Sequence, residues 1–126
     1  MANDKKKILL VEDDKFLSEM YATKLTESGF EMEAAFDGDE GLAKVDSFKP
    51  NLILLDIVLP KKDGFEILKT IRSNEALKGI FVIALTNLGQ KEEVEKGLSL
   101  GANDYVIKAH FTPTEVVAKV KKMLGI

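Results

Sequence analysis

Five short apolar runs constrain this chain more than any other feature: Ile8–Val11, Phe30–Phe36, Leu52–Leu55, Ile80–Leu85 and Tyr105–Ile107. The first, third and fourth are continuous rather than alternating, the pattern of strands covered on both faces. Between the runs the apolar spacing lengthens to that of helices. Phe16, Leu17, Met20, Tyr21 and Leu25 follow Asp14 and stop at Gly29, which predicts a first helix. Leu42 and Val45 predict a shorter one over 38–47, closed by Pro50. Phe65, Ile67, Leu68 and Ile71 give a third behind the turn Lys61-Lys62-Asp63-Gly64, and Val94, Leu98 and Leu100 a fourth that ends at Gly101. The fifth has the clearest start, because Thr112-Pro113-Thr114-Glu115 reads as a capping box with proline at the first helical position. It continues through Val116, Val117, Val120 and Leu124. Strand and helix alternating in this way predict an α/β fold: a doubly wound parallel sheet of five strands, with five helices on its two faces.

The 126 residues suit one domain over 1–126, with a core over about 7–124, since domains commonly run ~100–150 residues. Composition then removes whole classes of chemistry. The absence of Cys excludes a disulfide framework, thiolate catalysis and Cys-based metal sites. A single His, His110, excludes a His-rich metal centre, and its place before the fifth helix's cap makes it a surface residue. With 18 Lys+Arg against 21 Asp+Glu, a net charge of −3, nucleic acid is not the expected partner, because phosphate binding needs a clustered basic surface. No apolar run approaches the ~18–20 residues of a membrane span, and the N-terminal run Ile8–Val11 before Glu12 is too short for the ~7–15 of a signal peptide. A cytoplasmic chain without a membrane partner is expected. Carboxylates, hydroxyls and lysines remain to carry chemistry.

In open α/β sheets, ligands bind outside the carboxyl ends of the strands. The residues that follow the apolar runs are Glu12, Asp13 and Asp14, then Asp56, then Thr86, then Lys108. Each has an ordinary explanation when taken singly. Acids opening a helix serve as caps, which we assign to Asp14. An Asp at a strand end forms turns, a Thr caps a loop, and a Lys is solvated surface charge. None of these explains why all the groups share one edge. Converging carboxylates repel and call for a hard cation, and magnesium takes one or two carboxylates while keeping waters for phosphate oxygens. An amine and a hydroxyl beside them suit phosphoryl oxygens, and an Asp carboxylate can act as nucleophile to form an aspartyl phosphate. Asp56 is the candidate, standing alone on a central strand while Glu12 and Asp13 share the metal.

The stretches Ile8-Leu9-Leu10-Val11-Glu12-Asp13-Asp14, Leu54-Leu55-Asp56-Ile57-Val58-Leu59-Pro60 with Asp63-Gly64, Ala84-Leu85-Thr86, and Gly101-Ala102-Asn103-Asp104-Tyr105 running to Lys108 resemble the receiver domain of bacterial two-component response regulators. The resemblance covers Lys7 to Leu124. It implies a flavodoxin-like, CheY-like strand order of 2-1-3-4-5. It also implies that Asp56 accepts a phosphoryl group from a sensor histidine kinase or a histidine phosphotransfer protein. Mg2+ would be held by Asp13, by Glu12 through water, by Asp56 and by the Val58 carbonyl. Lys108 would pair with the phosphoryl group, while Thr86 and Tyr105 would move as switch residues. The changing surface would be the fourth helix, fifth strand and fifth helix, signalling to an unnamed protein target or to a second copy as a phosphorylation-dependent homodimer. On this reading the chain is a signalling switch rather than an enzyme, promoting only its own phosphorylation and dephosphorylation. Whether it stands alone or belongs to a longer regulator is left open.

Two positions depart from the family pattern. Ala109 follows Lys108 where a cis proline is usual, and a cis non-proline bond costs ~2.5–4 kcal/mol, so the bond is either trans or strained. Asn87 stands where a small residue is common. Val58 and Leu88 place apolar bulk beside the site, which implies slow hydrolysis of a phosphoaspartate. The acidic Glu92, Glu93 and Glu95 and the basic Lys119, Lys121 and Lys122 read first as solvated helix faces and second as a docking or dimer surface. Two rival functions share the fold class. An aspartate-nucleophile phosphatase wants a second Asp where Val58 stands, together with a cap region. A flavin carrier wants a Ser/Thr/Gly-rich phosphate loop where Glu12-Asp13-Asp14 would repel one.

Overall fold

The computed structural model describes residues 5–59, 63–87 and 91–126. Its strands are β1 (Lys7–Val11), β2 (Glu31–Ala35), β3 (Leu52–Asp56), β4 (Phe81–Thr86) and β5 (Asp104–Ile107). All pair in parallel, in the order β2-β1-β3-β4-β5. The helices are α1 (Lys15–Glu27), α2 (Gly38–Phe48), α3 (Gly64–Ser73), α4 (Lys91–Ser99) and α5 (Pro113–Leu124). Fold class, strand order and the alternation of elements match the expectation from the sequence.

The sheet is buried on both faces because alternate residues of each strand enter different cores. Leu9, Val11, Ile53, Leu55, Val82 and Ala84 meet Val45, Ile67, Leu68 and Ile71 beneath α2 and α3. Ile8, Leu10, Leu52, Leu54, Leu85 and Val106 meet Tyr21, Leu25, Val116 and Val120 beneath α1 and α5. Continuous apolar runs in β1, β3 and β4 are what two such cores require.

The helix ends follow the sequence cues. Asp14 caps α1, its side chain accepting from the Leu17 N–H at 3.1 Å. Thr112 and Glu115 close the reciprocal capping box of α5 at 3.1 and 2.8 Å. Three expectations are corrected by packing. Phe16 and Met20 belong to the apolar spacing of α1 yet lie 75% and 37% exposed, because Leu17, Ser18, Tyr21 and Leu25 form the inward stripe. In α4, Leu98 is exposed and only Gly97 is buried. The basic face of α5 is not uniformly solvated, since Lys119 bonds the Asp104 carboxylate at 2.8 Å and lies near the rings of Tyr105 and Phe111. The expected positions Pro60, Lys61, Lys62 and Leu88 lie outside the described residues.

Candidate phosphoryl site

The carboxyl ends of β1, β3 and β5 deliver the site. Period-2 alternation continues the stripe Leu10, Leu54 and Val106 into Glu12, Asp56 and Lys108, so these three groups meet on the α1/α5 face of the sheet. Lys108 Nζ stands 2.7 Å from Glu12 Oε1 and 2.9 Å from Asp56 Oδ2. The Asp56 contact is an aligned hydrogen bond. The Glu12 contact is closer but poorly aligned, leaving Oε1 without a hydrogen-bond partner. The other oxygens are fixed by backbone: Asp14 N–H donates to Glu12 Oε2 at 3.0 Å and Val58 N–H donates to Asp56 Oδ1 at 3.0 Å. Asp13 is exposed, and a carboxylate oxygen from each of Glu12, Asp13 and Asp56 lies within 4.8 Å of the others.

Burial sets the electrostatics. Glu12 is fully buried, and desolvation pushes its carboxyl from 4.5 to about 7, against the lowering effects of Lys108 and the Asp14 N–H. Burial alone would lower the Lys108 ammonium, but its contacts with Glu12 and Asp56 outweigh that and raise it. Three acid groups therefore face one firmly charged ammonium. The available donors are hard carboxylate oxygens, one from each of Glu12, Asp13 and Asp56 within 4.8 Å of the others, and this set fits a small divalent cation.

A pH dependence follows from Glu12. Its folded-state pKa lies above its unfolded value, so the folded chain holds this proton more tightly. The stabilisation is fully present below pH 4.5 and is lost as pH rises through about 7. Without metal, denaturant unfolding should show a loss of up to roughly 3 kcal/mol across that window. Glu12→Gln should remove this component, and an unchanged profile in that variant would contradict the assignment.

The sequence-predicted residues fall into two groups. Glu12, Asp13, Asp56 and Lys108 are brought together. Lys108 reaches the carboxylates from a short 3-10 turn (Lys108–His110), and the peptide to Ala109, which the sequence left open between trans and strained cis, is trans. Val58 is 55% exposed and contributes its N–H to Asp56. The hydroxyl of Thr86 is bonded to backbone rather than to the carboxylates: buried, it donates to the Val106 carbonyl at a long 3.5 Å. Tyr105 is half-buried, its ring 6.0 Å from Lys119 Nζ. Asn87 and His110 are exposed. Sequence reasoning missed Tyr21, whose hydroxyl is buried without a partner on the same face as the acids. The only signal was a hydroxyl among the inward residues of the first helix.

This geometry has a counterpart in known sequences. The model of a protein family described as the response regulator receiver domain matches residues 8–121. The chain belongs to that family. As a receiver it is 40% identical over 121 residues to the alkaline phosphatase synthesis transcriptional regulatory protein PhoP of Bacillus subtilis, covering 94% of this chain and 48% of that protein. The receiver thus spans about half the length of the curated relatives it matches. Among solved structures it resembles a response regulator from Chloroflexus aurantiacus, with TM-score 0.91 and 32% identity over 98% of this chain and 100% of that one. It also resembles a CheY-like receiver domain protein from Methanospirillum hungatei, with TM-score 0.89 and 32% identity over 97% of this chain and 95% of that one. Among the described residues, no helix of this receiver is long and apolar enough to cross a membrane.

Proposed function

We propose that this receiver takes a phosphoryl group onto Asp56 from a phosphohistidine of a sensor histidine kinase or histidine phosphotransfer protein. The observation that carries the reading is the placement of Asp56: a buried carboxylate held at Oδ1 by the Val58 N–H and at Oδ2 by Lys108. A carboxylate oxygen attacks phosphorus, the new O–P bond forms as the P–N bond breaks, and the imidazole leaves with the electron pair. Lys108 is already positioned to follow the developing charge onto a phosphoryl oxygen. Glu12, Asp13, Asp56 and the Val58 carbonyl would hold Mg2+. When bound, that ion neutralises charge on the transferring group.

The output reading is a two-state one. Thr86 would exchange its weak bond to Val106 for the phosphoryl group, and Tyr105 would move with it. The altered surface of α4, β5 and α5 would be read by a protein target or by a second copy. This is a signalling role, in which the chain's only chemistry is its own phosphorylation and dephosphorylation.

Incubation with Mg2+ and acetyl phosphate should add ~80 Da, one phosphoryl group, to the intact mass. The adduct should be labile to mild base and absent in Asp56→Asn. An adduct of equal yield in that variant, or none in the wild type while Mg2+ binds, would overturn the reading.

A further inference from the structure

β2 is an edge strand, at the side of the sheet away from β5. Along a strand, successive residues turn their backbone N–H and C=O to opposite sides. The Glu31 N–H donates to the Lys6 carbonyl, and the Ala35 carbonyl accepts from the Glu12 N–H, both at 3.0 Å. Glu31, Glu33 and Ala35 therefore face β1, while Met32, Ala34 and Phe36 turn their backbone groups outward. An outward row of this kind is a template on which another chain can pair. Here side chains of α2 take part of it. Lys44 Nζ donates to the Ala34 carbonyl at 2.7 Å, and Glu40 Oε1 accepts from the Phe36 N–H at 2.8 Å. Lys44 Nζ also stands 3.4 Å from Glu40 Oε2 and 3.7 Å from Glu33 Oε1. Asp37, the cap of α2, accepts from the Glu40 N–H at 2.9 Å and fixes the turn from which Glu40 reaches the edge.

Partly exposed ion pairs contribute little to stability, so the distinctive feature of this group is where it sits. It breaks the outward row of β2 after Met32. We infer that Lys44, steadied by Glu40, guards the β2 edge against pairing with a second copy of the chain. Identical edges can pair about a two-fold axis, which satisfies both strands at once. Two copies laid antiparallel would set Met32 of each against Ala34 of the other, and Lys44 occupies the Ala34 carbonyl that this ladder needs. Glu33 adds to the guard. The same register brings it opposite its own counterpart, and like charges directly opposite repel. The guard keeps copies from meeting on the side of the sheet away from the proposed output surface of α4, β5 and α5. It is independent of the phosphoryl-acceptor reading.

Lys44→Ala opens the carbonyl while keeping a strong helix former in α2 and adding no apolar bulk. Combined with Glu33→Thr, it should turn a monomer into a dimer in sedimentation velocity. Glu33→Thr alone should stay monomeric, with Lys44 still in place. The apparent Kd of the double variant should be at least about tenfold tighter than that of Glu33→Thr, as a ladder of new backbone bonds requires. Lys44→Arg with Glu33→Thr keeps a donor for the Ala34 carbonyl and should remain monomeric. Amide hydrogen exchange locates the contact. Dimerisation should slow the Met32 and Ala34 N–H groups about tenfold or more and leave that of residue 33, which faces β1, unchanged. If Lys44→Ala with Glu33→Thr does not fold, Glu40→Ala with Glu33→Thr opens the Phe36 N–H instead and should dimerise by the same edge. A folded double variant that stays monomeric overturns the guard. So do dimers whose Met32 and Ala34 amides exchange as in the monomer, and equal dimerisation of Glu33→Thr alone or of the Lys44→Arg pair. Phosphoryl uptake by Asp56 is read separately, and each of these outcomes leaves it standing.

Discussion

Lys108→Met should destabilise the metal-free protein by about 3 kcal/mol at pH 8 and by far less at pH 5. Methionine retains most of the apolar stem while removing the ammonium. What remains is Glu12 and Asp56, both almost wholly buried, with no cation between them. Breaking a buried pair by removing one partner typically costs ~3–5 kcal/mol, because the other charge is left uncompensated. At low pH the variant has an escape, since Glu12 already holds its proton up to about pH 7 and loss of Lys108 strengthens that hold. The lysine's own titration does not confuse the comparison. Its raised pKa leaves its contribution complete at both pH values and lost only above the ordinary lysine range. A second consequence has the opposite sign: Mg2+ should bind Lys108→Met more tightly, because no ammonium competes for the same oxygens. Denaturant unfolding at the two pH values and calorimetric Mg2+ titration check both. A surface lysine would show changes of at most ~0.5 kcal/mol and no pH contrast.

Much of this site was legible in the sequence because two simple rules converge on it. Continuous apolar runs fix a sheet buried on both faces, and parallel strands deliver whatever follows them to one edge. Glu12, Asp13, Asp56 and Lys108 needed nothing more. The departures come from properties that spacing does not encode. Apolar spacing alone cannot choose between Tyr21 inside and Met20 or Phe16 outside, since the contiguous pairs fit two adjacent faces of the same helix. Thr86 follows its strand as the other groups do, but its hydroxyl meets the Val106 carbonyl, a partner that spacing does not reveal. Lys119 reads as solvated charge until the fold sets Asp104 beside it. Ala109 left the peptide after Lys108 open between trans and strained cis, and the fold takes it trans at the start of a 3-10 turn.

Gly64→Ala should be the most damaging single-methyl change near the site. A Cβ at Gly64 would collide with the Asp56 carbonyl oxygen and stand 2.7 Å from Ile57 Cα. Both obstacles are backbone, so no side chain can rotate away. Gly64 also donates its N–H to the Ile57 carbonyl at 2.9 Å, and Asp63 caps α3 beside it by accepting from Glu66 N–H at 2.9 Å. The methyl must therefore push α3 away from the segment that carries Asp56. Overpacking costs typically ~1–3 kcal/mol and more where nothing can yield, so a loss of about 3 kcal/mol or greater is expected. Phosphoryl uptake should fall with it even under conditions where the variant is folded, because the Val58 N–H that fixes Asp56 lies in the displaced loop. Gly79→Ala is the matched control. Nothing lies within 4 Å of a Cβ there, so its stability should stay within about 1 kcal/mol or improve slightly. Equal behaviour of the two variants in thermal unfolding would contradict the close approach at Gly64.

The central claim is that the phosphoryl group goes to one carboxylate among three neighbours. Borohydride reduces an acyl phosphate but not a free carboxylate, so it records which oxygen carried phosphorus. After incubation with Mg2+ and acetyl phosphate, reduction and peptide mass analysis should find homoserine at position 56, with Asp13 and Glu12 unaltered. Reduction at Asp13 or Glu12 instead, or no reduced residue in protein that has bound Mg2+, would contradict the account.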